Sequence, residues 1–130
     1  VIDASITACW AFSDELDAAA AKARLAVDSA VAPSLWWFEI RNTLIVNERR
    51  KRLQEDVCAA FLRLLAAMPI VIDRTPHEAD VLELARRHRL TVYDAAYLEL
   101  ARRRREPLAT LDRKLADAAL AESVPLIGAA

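Results

Sequence analysis

The sequence predicts an α/β fold in which a central, mostly parallel sheet of about five short strands is flanked by helices. Short β-rich runs alternate with longer helical patterns along the chain. Each run is separated from the next by helix, so the connections are right-handed crossovers and both sheet faces are covered. The 130 residues suit one domain, 1–130, without repeats, low-complexity tracts or a long linker.

The elements follow in order. Val1-Ile2 is the first strand and ends at Asp3. Residues 16–29 are Ala-rich and amphipathic, a helix, and "AVAP" at 30–33 is a short strand. Ser34 offers an N-cap for the helix carrying Trp36, Trp37, Phe38, Ile40, Leu44 and Ile45. Residues 55–68 form the next helix, with Phe61, Leu62, Leu64 and Leu65 as its apolar stripe, and "PIVID" at 69–73 is a strand. In "TPHEADVLELARRH", Thr75 is placed to cap, Pro76 to open the helix and Glu78 to complete a capping box. Helices at 94–105 and 113–122 and strands at 107–112 and 124–127 complete the series.

Composition excludes several classes. The chain is 55% hydrophobic and 28% charged, with no apolar run long enough to span a membrane. The opening "VIDASITACW" has neither a basic leader nor a small-residue cleavage site, and a cytoplasmic location is expected. Cys9 and Cys58 lack metal or redox spacing and read as small core residues. His77 and His88, eleven positions apart, suit surface or helix-end roles. The net charge of −1 gives no global attraction to nucleic acid. The Arg-rich clusters at 49–52, 86–89 and 102–105 each fall near a helix end, where cations complement the helix dipole. Trp10, Trp36, Trp37 and Phe38 suit core or interface positions better than base stacking.

The acids carry the functional signal. Asp94 stands at the head of the apolar stretch "TVYDAAYLEL", where a carboxylate needs a partner. The helix itself offers one, through the N–H groups of Ala96 and Tyr97. Glu39 interrupts the apolar face of "SLWWFEIRNTL", with Asn42 and Thr43 on the same side, so that Asn42 can bond the carboxylate or hold a water beside it. Asp3 and Asp112 end strands, at the carboxyl ends where ligands of such folds bind. Gathered in one cleft, these four carboxylates repel one another unless divalent cations neutralise them, and oxygen-only ligation suits Mg²⁺ or Mn²⁺.

In order and spacing, "VIDAS", "SLWWFEIRNTL", "TVYDAAYLELA" and "LATLDRKLADAA" resemble the four acidic signatures of PIN-domain ribonucleases, specifically VapC-type toxins of bacterial toxin–antitoxin systems. The resemblance spans essentially the whole chain. It implies a PIN fold, Mg²⁺- or Mn²⁺-dependent endonuclease activity on RNA, a homodimer, and inhibition by a small VapB-type antitoxin. It assigns Asp3, Glu39, Asp94 and Asp112 to the acidic site, with Ser5, Asn42 and Thr110 in the polar positions beside them. Trp10 and one of the adjacent tryptophans become groove residues for the antitoxin. Two other readings remain: a phospho-receiver domain using Asp73, against which the lone strand-end Asp3 and the absence of a Lys after "VPLI" argue, and a PIN-like binding module without catalysis.

Overall fold

In the computed structural model, residues 1–11 and 30–127 are described. Their elements are α1 (Ala4–Cys9), β1 (Ala30–Pro33), α2 (Ser34–Arg49), α3 (Glu55–Ala66), β2 (Ile70–Asp73), α4 (Glu78–His88), α5 (Val92–Arg104) and α6 (Arg113–Ala121). The helix expected at 16–29 lies outside the described residues.

The β-rich runs pair in parallel. β1 and β2 run in register from Ala30 opposite Ile70 to Pro33 opposite Asp73. On the other side of β1, the Ile2 N–H donates to the Val31 carbonyl at 3.2 Å. Ile2 bridges Ala109 and Leu108 bridges Leu126, both in parallel. Across the sheet the order is therefore 70–73, 30–33, 1–2, 108–109, 126. Of the five expected strands, only β1 and β2 are long enough to be regular among the described residues; the other three are single bridges. The cause is local, because Asp3 and Asp112 cap helices that start immediately after their strand segments and turn the chain out of the sheet.

This order reverses at the first segment. The chain steps from 1–2 to β1 to β2, then returns to the opposite side with 108–109, so the carboxyl ends of 1–2 and 108–109 flank a crevice. The helices close over the sheet through Ile6, Ile40, Leu44, Leu84, Leu98, Leu100 and Leu115, all essentially inaccessible to solvent.

Several helix starts differ from expectation. Pro33 precedes α2, and the Ser34 hydroxyl turns instead toward the Asp73 carbonyl, 3.5 Å away. α4 begins at Glu78 after His77, and no capping box forms. Asp73 has taken Thr75 into a local turn, accepting its N–H at 3.0 Å, which removes the cap from the helix. Thr91 caps α5, accepting the Asp94 N–H at 3.1 Å.

An ionic network ties β2 to α5. Arg103 bonds both Asp73 oxygens at 3.0 Å and Glu99 Oε1 at 2.7 Å, and Arg104 adds two bonds to Asp73 Oδ2. Glu99, itself buried, also accepts the His77 N–H at 3.2 Å. Arg103 holds the Asp73 carboxyl well below the usual carboxylate range. With both oxygens engaged, Asp73 is not free to act as a phosphoacceptor. Arg102 pairs with Glu122, so three of the four arginines at 102–105 are spent on ion pairs. Cys9 and Cys58 are not joined by a disulfide. Among the described residues, no helix is long and apolar enough to cross a membrane.

Candidate active site

Asp3 lies at the floor of the crevice, 5% exposed. Because the chain turns into α1 right after it, its Oδ1 accepts the Ile6 N–H at 3.0 Å and the Ser5 hydroxyl at 2.7 Å. Its Oδ2 accepts the Thr110 hydroxyl from the neighbouring strand segment. Ser5 and Thr110 are themselves locked: Ser5 Oγ accepts the Leu111 N–H at 2.9 Å and Thr110 Oγ1 the Asp112 N–H at 3.0 Å. Two loops that are remote in sequence are thus stitched together around one carboxylate. Behind it, the Thr7 hydroxyl donates to the Asp3 carbonyl and accepts the Trp36 indole N–H at 2.9 Å, fixing α1 against α2.

Glu39 projects from α2, half-buried, and its Oε1 accepts the Tyr97 hydroxyl at 2.6 Å. The sequence pointed to Asn42 as the partner, but Asn42 is exposed, and the bond comes from α5 instead. Tyr97 was missed as a polar group because it reads as an apolar helix residue. The available signal was its place three residues after Asp94, on the same helix face, together with the need of a buried phenol for an acceptor.

Asp94 is the third residue of α5 and half-buried. It lies in the first turn of the helix, with Thr91 as the N-cap. Asp112 is exposed and caps α6, its Oδ1 accepting the Leu115 N–H at 2.9 Å.

The four acids feel one another. Burial raises Asp3, with Asp112 adding to the rise, and burial raises Glu39, with Asp94 and Asp3 adding. Asp94 is raised by burial and then by Asp112, while Lys114 opposes. The couplings close a ring: Asp3 to Asp112, Asp112 to Asp94, Asp94 to Glu39, Glu39 to Asp3. As the side chains stand, no three Asp, Glu, His or Cys groups among the described residues converge closely enough to ligate one ion. The donor chemistry still fits a hard divalent cation, since every group is an oxygen and each carboxylate destabilises its neighbours at neutral pH. The cavity lined by His77, Asp80, Leu84, Glu99, Arg102 and Arg103 involves the carboxyl-terminal half of α5 and none of these acids.

Residues 1–120 match the PIN domain family model. The chain belongs to the PIN-domain family. This PIN domain is also 34% identical over 121 residues to Ribonuclease VapC3 of Pyrobaculum aerophilum, covering 90% of this chain and 92% of that protein. The receiver reading is thereby set aside. Within the PIN domain, Trp36 is core, whereas Trp37 and Phe38 are 47% and 67% exposed and pack edge to face, with the Arg41 guanidinium 4.2 Å from the Trp37 ring. Trp37 is therefore the outward member of the tryptophan pair.

Proposed function

We propose that this PIN domain is a VapC-type endoribonuclease toxin that hydrolyses phosphodiester bonds of RNA with Mg²⁺ or Mn²⁺. Asp3, Glu39, Asp94 and Asp112 would hold the cation. The bonds that tie Asp3 to Thr110, two residues before Asp112, and Glu39 to Tyr97, three residues after Asp94, are the observation that carries the proposal, and the kinship with a protein named as a ribonuclease supports its substrate class.

When bound, such an ion supplies Lewis acidity toward a phosphate and charge neutralisation during hydrolysis. The protein's own part is preorganisation. Ser5, Thr110 and the Ile6 N–H fix the Asp3 carboxylate and offset part of the cost of its burial. Asn42, exposed one turn beyond Glu39, suits a role in the outer shell of the site. Single-stranded RNA is the expected substrate form, because its unstacked bases are accessible. An RNA target puts this work in the cytoplasm.

The toxin reading brings two protein partners, a VapB-type antitoxin and a second copy in a homodimer. Trp37, Phe38 and Ile45 line an exposed apolar stripe of α2 suited to the antitoxin, with Trp10 a further groove residue.

Purified protein freed of antitoxin should cleave single-stranded RNA in Mg²⁺ or Mn²⁺ and stop when chelator is added. Asp94→Asn should fold and lose cleavage. Cleavage that survives both chelator and Asp94→Asn refutes the proposal, and a folded protein inert on RNA with either ion favours a binding module.

A further inference from the structure

Resting on the assignment of Glu39 to the site, we propose that Tyr97 is a positioning residue whose buried hydroxyl holds the Glu39 carboxylate against the face of α5 that carries Asp94. Tyr97 is 2% exposed, and its hydroxyl reaches Glu39 Oε1 at 2.6 Å across 58 positions of sequence. A phenol removed from water needs an acceptor, and a bond to a carboxylate is short and strong. Asp94 and Tyr97 are three residues apart, so one helix face presents both an acid and the clamp on a second acid from another helix.

The bond has a direction that matters. A hydroxyl carries one proton, and it is given to Oε1, while among the described residues Oε2 takes no hydrogen bond. The clamp therefore fixes the carboxylate's orientation and leaves Oε2 for a ligand. Without the hydroxyl, Glu39 stays half-buried with no other side-chain hydrogen bond from the described residues to orient it.

Tyr97→Phe keeps the ring and removes the bond. Its Mn²⁺ affinity, measured by electron paramagnetic resonance without RNA, should fall about 10- to 100-fold. kcat should fall by a comparable factor, while KM for RNA changes less than about twofold, as for loss of a group acting on the site and not on substrate binding. In a Glu39→Gln background, the same substitution should change Mn²⁺ affinity less than about twofold. Wild-type affinity and kcat in Tyr97→Phe, or a full multiplicative loss in the Glu39→Gln background, would overturn the proposal. Asp94→Asn separates the two levels: if it cleaves RNA normally, the four-acid site itself fails, whereas if it is inactive and Tyr97→Phe is normal, only the role of Tyr97 fails. Should Tyr97→Phe not fold, Tyr93→Phe leaves Tyr97 as the sole tyrosine of the chain. Added Mg²⁺ should then perturb the tyrosine ultraviolet difference spectrum, and Glu39→Gln should abolish the change; an unperturbed spectrum overturns the proposal.

Discussion

Removing the Arg103 guanidinium should be the most destabilising single change in the ionic network under α5. Arg103 serves two buried carboxylates, and the loss falls unequally on them. Asp73 keeps Arg104 and the Thr75 N–H, but Glu99, whose side chain is 2% exposed, keeps among the described residues the His77 N–H alone, at 3.2 Å. Stranding a buried carboxylate in this way costs about 3–5 kcal/mol. With a urea dependence of about 1.5 kcal/mol per molar, Arg103→Met should lower the unfolding midpoint by roughly 2–3 M at pH 7. Adding Glu99→Leu to Arg103→Met removes the stranded charge and should restore much of the loss. The pH dependence follows from Asp73. Its folded pKa lies below the unfolded value, so its contribution is present above about pH 4 and fades as pH falls toward the folded value. A midpoint shift under about 0.5 M, or no recovery in the double variant, refutes this account of how α5 is anchored.

Thr110→Val leaves Asp3 Oδ2 without its donor and should lower kcat for RNA about 10- to 100-fold, with Thr110→Ser close to wild type. Asp94→Asn should raise Tm by about 2–4 °C at pH 7 in chelator. The folded pKa of Asp94 is raised, so the stability linked to it is present below the unfolded pKa and lost as pH rises through the folded value; the amide removes that loss. Thermal melts with and without Mg²⁺ check this, the wild type gaining more from the ion than the variant. Arg105→Gly should stabilise the fold by up to about 1 kcal/mol in urea titrations, because Arg105 ends α5 in the left-handed region at φ 54°, where a side chain is costly.

The alternation of β-rich and helical runs, the parallel pairing and the crevice between 1–2 and 108–109 were legible because they depend on periodicity and on how connections cross a sheet. The lengths of the outer strands were less so: Asp3 and Asp112 were expected as strand ends, and in the structure each caps the helix that follows. Thr75 and Glu78 matched a capping box locally, yet Asp73 competed for Thr75. Ser5 and Thr110 came from the family resemblance, and in the structure both donate to the Asp3 carboxylate. Tyr97 was not legible, because its partner is 58 positions away and no local spacing encodes that meeting. The same holds for Arg103 and Arg104, whose cluster looked like a solvated helix end until Asp73 and Glu99 were seen beneath it.

The claim that Asp3, Glu39, Asp94 and Asp112 share a cation is tested most directly by anomalous scattering from crystals of the antitoxin-free protein grown with Mn²⁺. The account predicts a manganese peak in the crevice within ligand distance of carboxylate oxygens from this set, weakened or lost in Asp94→Asn crystals. A manganese peak elsewhere, with these acids pointing away from one another at saturating Mn²⁺, would contradict it.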